Sequence, residues 1–374
     1  MLIRYRHQTV WHTIGALNWG IIGLITLVAC IGFVMLFSAG DGQGQPWAYK
    51  QMARFVLGMG LMFMVAVIEL RWWLARAYWF YAVGVILLVI VETMGMIGMG
   101  AQRWIDLYVF QLQPSEIMKF ALVLALARYF HGLSLKQVRR WYHLIPPLLL
   151  IGVPMLLVMR QPDLGTAMMM LITGATLFFL AGVQIWKFML VAGIGAGAVP
   201  IFWSLLRDYQ KNRILTFLDP ERDPFGAGYH ITQSKIALGS GHIWGKGYLH
   251  GSQSHLNFLP EKQTDFIFTM FCEEFGIVGA GILMVLYLCL IFYGVRTSLR
   301  CRSHFGRLSG MGIIGTFFFY AFINMAMVMG LVPVVGVPLP LISYGGTAML
   351  TILIGFGFLL AIEIQNASSR SKLD

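Results

Sequence analysis

The chain has 374 residues, of which 58% are hydrophobic and only 11% charged, with a formal net charge of +11. A soluble domain carries about 25% charged residues, so this chain is too poor in charge to coat a water-facing surface, and its apolar content excludes disorder. What remains is a polytopic helical bundle in a membrane, and there a positive balance reads first as topology.

A helix that crosses the hydrocarbon core needs about 20 apolar residues. The first such run, 18–39, is charge-free. It is too long for the apolar stretch of a cleaved leader, and no small-residue cleavage pattern follows it, so it is expected to stay as an anchor. The next runs are 55–68, between Arg54 and Glu69, and 77–100, whose single charge, Glu92, has no local partner. Run 115–130 contains Glu116 and Lys119; run 144–159 takes in Pro146 and Pro147; 164–186 and 188–206 are charge-free. A long polar connection, 207–264, follows, then 265–295. From 308 to 362 there is no charge, a length that holds two spans divided by Pro333, Pro338 and Pro340. The expectation is an all-α integral membrane protein: ten transmembrane helices in one polytopic domain, 1–374, with the long extracytoplasmic loop between spans seven and eight. With the N-terminus inside, most Lys and Arg fall in inner segments. Only Lys50, Arg54, Arg103 and Arg160 fall in the short outer ones, which places both termini in the cytoplasm. Cys30, Cys272, Cys289 and Cys301 form no CxxC pair and read as small core residues.

The long connection mixes aromatics, glycines and both signs of charge. Residues 229–238 have the pattern of a short interfacial helix, and Gly239, Gly241, Gly245 and Gly247 follow it. Glycines beside Lys246 can cradle a phosphate with backbone amides or simply make a tight turn. The segment is not a Walker A loop: Gly241 to Gly245 is one residue too short, and Gly247 stands where Ser or Thr belongs. His230, His242, His250 and His255 are too scattered for a zinc site.

Charges within a bilayer are expensive and need a reason. Glu116 and Lys119 share a helix face, either as a self-neutralising pair or with Lys119 reaching toward an anionic substrate. Asp163, before run 164–186, is either the cap of that helix or a ligand. Asp265 sits between the polar Glu261-Lys262-Gln263-Thr264 and the apolar Phe266-Ile267-Phe268, at the boundary of water and lipid. An apolar flank makes a carboxylate more basic, which suits a general base; the other reading is an N-cap. Gly345-Gly346, after Ser343-Tyr344, reads as a turn.

Several of these segments resemble the SEDS family (shape, elongation, division and sporulation) over nearly the whole chain. GAQRWIDL with QPSEIMK, RQPDLGTA, FLDPERDPFGAGYHITQSKIALGSG, GKGYLHGSQSHLNFLPEKQTDFIF and VPLPLISYGG are the segments that carry the likeness. The last of them is closer to the family's elongation branch than to its division branch. One departure is Gln263, where many relatives have His, so no proton shuttle is expected there. The resemblance implies a peptidoglycan glycosyltransferase that polymerises lipid II for cell-wall elongation, with undecaprenyl diphosphate as leaving group. Asp265 matches the family's essential aspartate, implied to deprotonate the acceptor 4-hydroxyl. Lys119, Glu116, Arg103, Asp163, Arg213, Lys246, Lys262 and Ser343 are expected on the substrate side, the cations against the diphosphate. A divalent cation (Mg or Mn) is a candidate cofactor, with Asp163 as its ligand; no nucleotide or organic cofactor is expected. The implied partners are a class B penicillin-binding protein, the transpeptidase, and elongation-complex membrane proteins, with no nucleic acid. The implied location is the bacterial inner membrane. The alternatives are a lipid-linked precursor flippase and a non-catalytic scaffold for a penicillin-binding protein.

Overall fold

The structure, a computed structural model, describes residues 17–98, 101–106, 111–205, 208–219, 226–255 and 261–370. Hydrocarbon offers no water to backbone N–H and C=O groups, so elements that satisfy them internally carry nearly all of the chain. In order they are α1 (Trp19–Ala39), α2 (Ala48–Ala66), α3 (Leu70–Met94), β1 (Met96–Gly98), β2 (Ala101–Asp106), β3 (Gln111–Leu112), α4 (Pro114–His131), α5 (Leu135–Val138), α6 (Ile145–Arg160), α7 (Leu164–Leu180), α8 (Ile185–Gly197), α9 (Val199–Leu205), α10 (Asp208–Leu218), α11 (Ala227–Ser240), α12 (Ser252–His255), α13 (Ile267–Leu299), α14 (His304–Val328) and α15 (Gly346–Arg370). Helix starts carry local signals. Asn18 accepts from Ile21 N, Asp163 from Thr166 N and Ser303 from Gly306 N, and Pro114 opens α4.

Among the described residues, six helices are long and apolar enough to cross a membrane: α1, α3, α6 with its 3-10 start, α13, α14 and α15. The apolar α7 and α8 are shorter. The molecule is therefore a mostly helical, multi-pass membrane protein. Several expected boundaries move. The second helix starts at Ala48, ahead of 55, and the sixth stops at Leu180. The seventh breaks at Ala198 into α8 and α9. The third ends at Met94, because the glycine-rich GMIGMG run has poor helix propensity. There the chain turns into a small antiparallel sheet of order β1-β2-β3, pairing Met96 with Trp104 and Ile105 with Leu112, so the fold is not strictly all-α. The interfacial helix expected at 229–238 is α11. Cys272 and Cys301 are buried as expected, whereas Cys30 and Cys289 face outward; burial raises the Cys301 thiol pKa. Glu92 does find a partner, Arg160, at 3.5 Å.

The core forms around α4, which is buried along most of its length. Helix α3 packs against α4, α14 against α13, and α2 along α15. The α2–α15 crossing is close because Gly58 faces Leu353 and Gly357 faces Met62 across it. Between α14 and α15 the chain is non-helical from Leu331 to Gly345, yet Val337, Leu339, Leu341 and Ile342 are buried.

Helix α13 has a break at Gly276 (φ 65°) that the glycine cluster clamps. Lys246 N donates to Glu273 O and Gly247 N to Glu274 O, both at 3.0 Å; Ile277 N and Val278 N return bonds to His242 O and Ile243 O. The Lys246 ammonium meets the fully buried Glu273 carboxylate at 2.7 Å and Ser252 Oγ at 2.8 Å. These amides and this cation are thus committed to the broken helix, and the segment is a clasp rather than an open phosphate cradle. Lys246→Ala strands a buried carboxylate and should cost about 3–5 kcal/mol of stability. Thermal unfolding in detergent checks this: an unchanged midpoint with a raised KM would return Lys246 to substrate binding. Gly276→Ala forces a side chain into positive φ against Gly245 N and Ile243 O, and should cost about 1–3 kcal/mol from backbone strain alone. The same unfolding measurement would show no change if the break were tolerant.

Candidate active site

Asp265 lies in the turn that precedes α13. Phe266 holds the cap position and α13 has no side-chain cap, so the N-cap reading of Asp265 does not hold. Asp265 is half-buried. Gly336 (φ 71°) runs beside it: a Cβ built there would stand 3.4 Å from Asp265 Oδ2, which is the close approach that favours glycine.

The backbone on either side of Asp265 is laced to the non-helical segment. Asn324, fully buried on α14, donates to Asp265 O at 3.0 Å and to Val337 O at 2.7 Å. Ser343 Oγ accepts from Leu339 N at 2.7 Å and donates to Thr264 O at 2.6 Å. Tyr344 N donates to Gln263 O at 2.8 Å. Ser343 is buried, and its hydroxyl is occupied by these two backbone groups, so it positions the turn. Gln263 donates to Glu261 Oε2 at 3.2 Å, and Lys262, also buried, pairs with Asp41 at 3.7 Å.

Asp163 approaches the same segment from the other side. Its helix start is pressed on it, since Gly165 lies against Val335 O, the neighbour of Gly336. The Asp163 carboxylate is buried and accepts from Thr166 N at 3.2 Å, Thr166 Oγ1 at 2.9 Å and Gln113 Nε2 at 3.3 Å, with Arg103 Nε at 3.9 Å. That is the donor shell of a helix cap. One carboxylate among N–H donors and a guanidinium does not fit a divalent cation, and no group of three potential ligands occurs among the described residues. Arg103, carried on β2, donates to Gln161 O and Pro162 O, so the hairpin braces the loop that leads into α7.

Glu116 and Lys119 form the self-neutralising pair, 2.7 Å apart and both buried. Tyr320 on α14 donates to both Glu116 oxygens, at 2.9 and 2.7 Å, and its ring lies 4.4 Å from Lys119 Nζ. They border a cavity of about 40 Å³, otherwise lined by residues such as Phe120, Val123, Phe317 and Phe356. That is room for a water or two, not for a head group. Arg213 lies on α10, and its side chain falls outside the described residues. Tyr248, in the long connection before α13, donates to Val34 O; burial and the neighbouring Glu274 carboxylate raise its phenol pKa.

Sequence reasoning missed Asn324, Gln51, Glu273 and Tyr320. Asn324 had a signal: it is the lone amide in the uncharged 308–362 run, and polar groups inside a span need a reason. Gln51 donates to Ser343 O at 2.9 Å and accepts from Gly345 N at 3.4 Å, yet lay outside the span drawn at 55–68.

With this geometry in view, the chain was compared with known proteins. It matches the model of the FtsW, RodA and SpoVE family, described as cell cycle protein, over residues 14–368. The peptidoglycan glycosyltransferase MrdB of Escherichia coli K12 is 42% identical over 91% of this chain and 92% of its own length. A probable peptidoglycan glycosyltransferase FtsW of Aliivibrio salmonicida is 32% identical over 96% of this chain and 89% of its own. Among solved structures, the rod shape determining protein RodA of Thermus thermophilus superposes with a TM-score of 0.69 at 28% identity, covering 93% and 96% of the two chains. A chain from a structure on the coordination of polymerization and crosslinking by a peptidoglycan synthase complex superposes with a TM-score of 0.80 at 31% identity, covering 94% and 98%. The chain belongs to the FtsW, RodA and SpoVE family of cell cycle proteins.

Proposed function

We propose that this protein is a peptidoglycan glycosyltransferase that polymerises lipid II into glycan strands for cell-wall elongation. The relatives named as peptidoglycan glycosyltransferases support the activity. The observation that carries the site is Asp265, a half-buried residue on a turn whose carbonyls at 263, 264 and 265 accept from Tyr344, Ser343 and Asn324. A base held this rigidly needs little reorganisation to meet a hydroxyl.

In the proposed step, the Asp265 carboxylate takes the proton of the acceptor 4-hydroxyl. The freed oxygen pair attacks the anomeric carbon of the donor. The bond from that carbon to the diphosphate breaks, undecaprenyl diphosphate leaves with the electron pair, and the centre inverts. Negative charge grows on the leaving diphosphate, so cations near the turn lower the barrier. For the membrane arrangement we take ten spans, counting α2, α4, α7 and α8 with the six long helices. The termini are cytoplasmic and Asp265 lies at the outer face of the inner membrane. The positive balance of the inner segments supports this orientation. The partner is a class B penicillin-binding protein together with other elongation-complex membrane proteins. The likeness to a chain of a peptidoglycan synthase complex supports it.

Purified protein, alone and with its transpeptidase, incubated with lipid II should yield long glycan strands that moenomycin does not block. Transbilayer movement without product would make it a flippase, and partner binding with neither activity a scaffold. Asp265→Asn should abolish strand formation while thermal unfolding stays unchanged; full activity in that variant would remove Asp265 from the mechanism. Ser343→Ala frees Thr264 O and Leu339 N and should cost about 1–3 kcal/mol of stability. Its strand yield should fall through kcat more than KM, and steady-state kinetics would argue against a positioning role if only KM moved.

A further inference from the structure

The diphosphate of a lipid-linked donor is joined directly to the anomeric carbon, so its oxygens must lie close to Asp265. Among the described side chains, the cations expected to meet them are already engaged. Lys119 is paired with Glu116, Lys246 with Glu273 and Lys262 with Asp41, while Arg103 is spent on Gln161 O, Pro162 O and Asp163. Using Lys119, Lys246 or Arg103 would uncover a buried carboxylate or unpin a loop, and Lys262 is itself buried.

Arg54 is different. It sits on α2, one turn after Gln51, the residue that clamps Ser343 O and Gly345 N. Its guanidinium lies over the Tyr344 ring, 4.6 Å from the centroid, and Tyr344 N is bonded to Gln263 O, two residues before Asp265. Gly346 keeps the space open: a Cβ there would stand 3.1 Å from Arg54 Nε and 3.2 Å from Cζ. The guanidinium makes no hydrogen bond or ion pair among the described residues. Its Nη1 is sealed from solvent with no acceptor at all, in a side chain that is otherwise half-exposed. A buried N–H without an acceptor is costly, more so for a charged group. Stacking on an aromatic face recovers part of that but offers no lone pair. The resting pose is thus one that an oxyanion arriving beside Tyr344 would relieve, by drawing the guanidinium off the ring into a two-pronged contact. Arginine's planar fork matches a phosphate in that way, and lysine's point charge does not.

We propose that Arg54 is a substrate-binding residue that receives phosphate oxygens of the lipid-linked diphosphate, with Tyr344 as its resting platform. The inference rests on the proposed glycosyltransferase reading and names a further residue of that same site. The shared chemistry is a phosphate on a lipid, which a bulk anionic phospholipid also offers, so the test compares the two.

The experiment uses the full-length protein in nanodiscs. Arg54→Gln should raise KM for lipid II about tenfold or more, the worth of a charge-assisted contact, with a smaller change in kcat. Arg54→Lys should recover part of the loss. In the non-turning Asp265→Asn background, Arg54→Gln should weaken binding of undecaprenyl diphosphate by a similar factor, and binding of undecaprenyl monophosphate less. An unchanged KM and affinity, with only a lower unfolding temperature, would make Arg54 a structural stack and overturn the inference. An equal loss for phosphatidylglycerol would make the site a general headgroup contact and overturn it too. If Arg54→Gln does not fold, Arg54→Lys carries the test, and a KM and affinity equal to wild type would overturn it. Failure of the wild type to polymerise lipid II would instead sink the functional reading, while the binding arm would still report on Arg54.

Discussion

The organisation of this molecule follows from one constraint: the irregular backbone between α14 and α15 runs buried or half-buried inside the helical bundle from Val337 to Gly345. Its polar groups must find partners within the protein. The partners are few and specific. Asn324 takes Val337 O, Tyr287 donates to Pro340 O at 2.6 Å, Ser343 turns back to Leu339 N, and Gln51 holds Ser343 O and Gly345 N. The same side chains then reach one step further, to Asp265 O and Thr264 O. The Asp265 turn is therefore held by the groups that keep the buried segment from being unsatisfied. Rigidity of that turn and stability of the fold are one network.

Glycine makes the network possible at two points. Gly336 lets the segment pass against Asp265, and Gly165 lets the start of α7 seat on Val335. The start of α7 and the Asp265 turn thus meet one dipeptide, Val335-Gly336. Asp163 caps and anchors its helix, with donors converging on its carboxylate, whereas Asp265 sits in a turn whose own carbonyl is held by Asn324.

The buried charges follow a related logic. Glu116 with Lys119 and Tyr320, and Glu273 with Lys246 and Ser252, are each neutralised and hydrogen-bonded within the bundle. Pairs of this kind add little net stability over apolar residues, yet breaking one is costly. They fix how α4 meets α14 and how the long connection meets the broken α13. Arg54 stands apart as a cation with a stacking surface and no acceptor, which is the state expected of a group whose partner is a ligand.

The amino-acid order alone determined the class of the molecule, because apolar runs of span length have no other stable home than lipid. It also determined the placement of Asp265 at a polar-to-apolar boundary, since hydropathy changes sign at Thr264-Asp265-Phe266. The capping role of Asp163 and the Glu116–Lys119 pair were likewise readable, both being contacts within one turn of helix. What only the tertiary structure decided are the contacts between residues far apart in the chain. Lys246 looked like a phosphate ligand until Glu273, 27 residues away, claimed it. Ser343 looked like a substrate contact until Thr264 did. The GMIGMG run was read as helix until β1 and β2 paired. Local pattern reports which face of an element is apolar, but it carries no information about which distant donor meets which acceptor; that depends on how the helices pack.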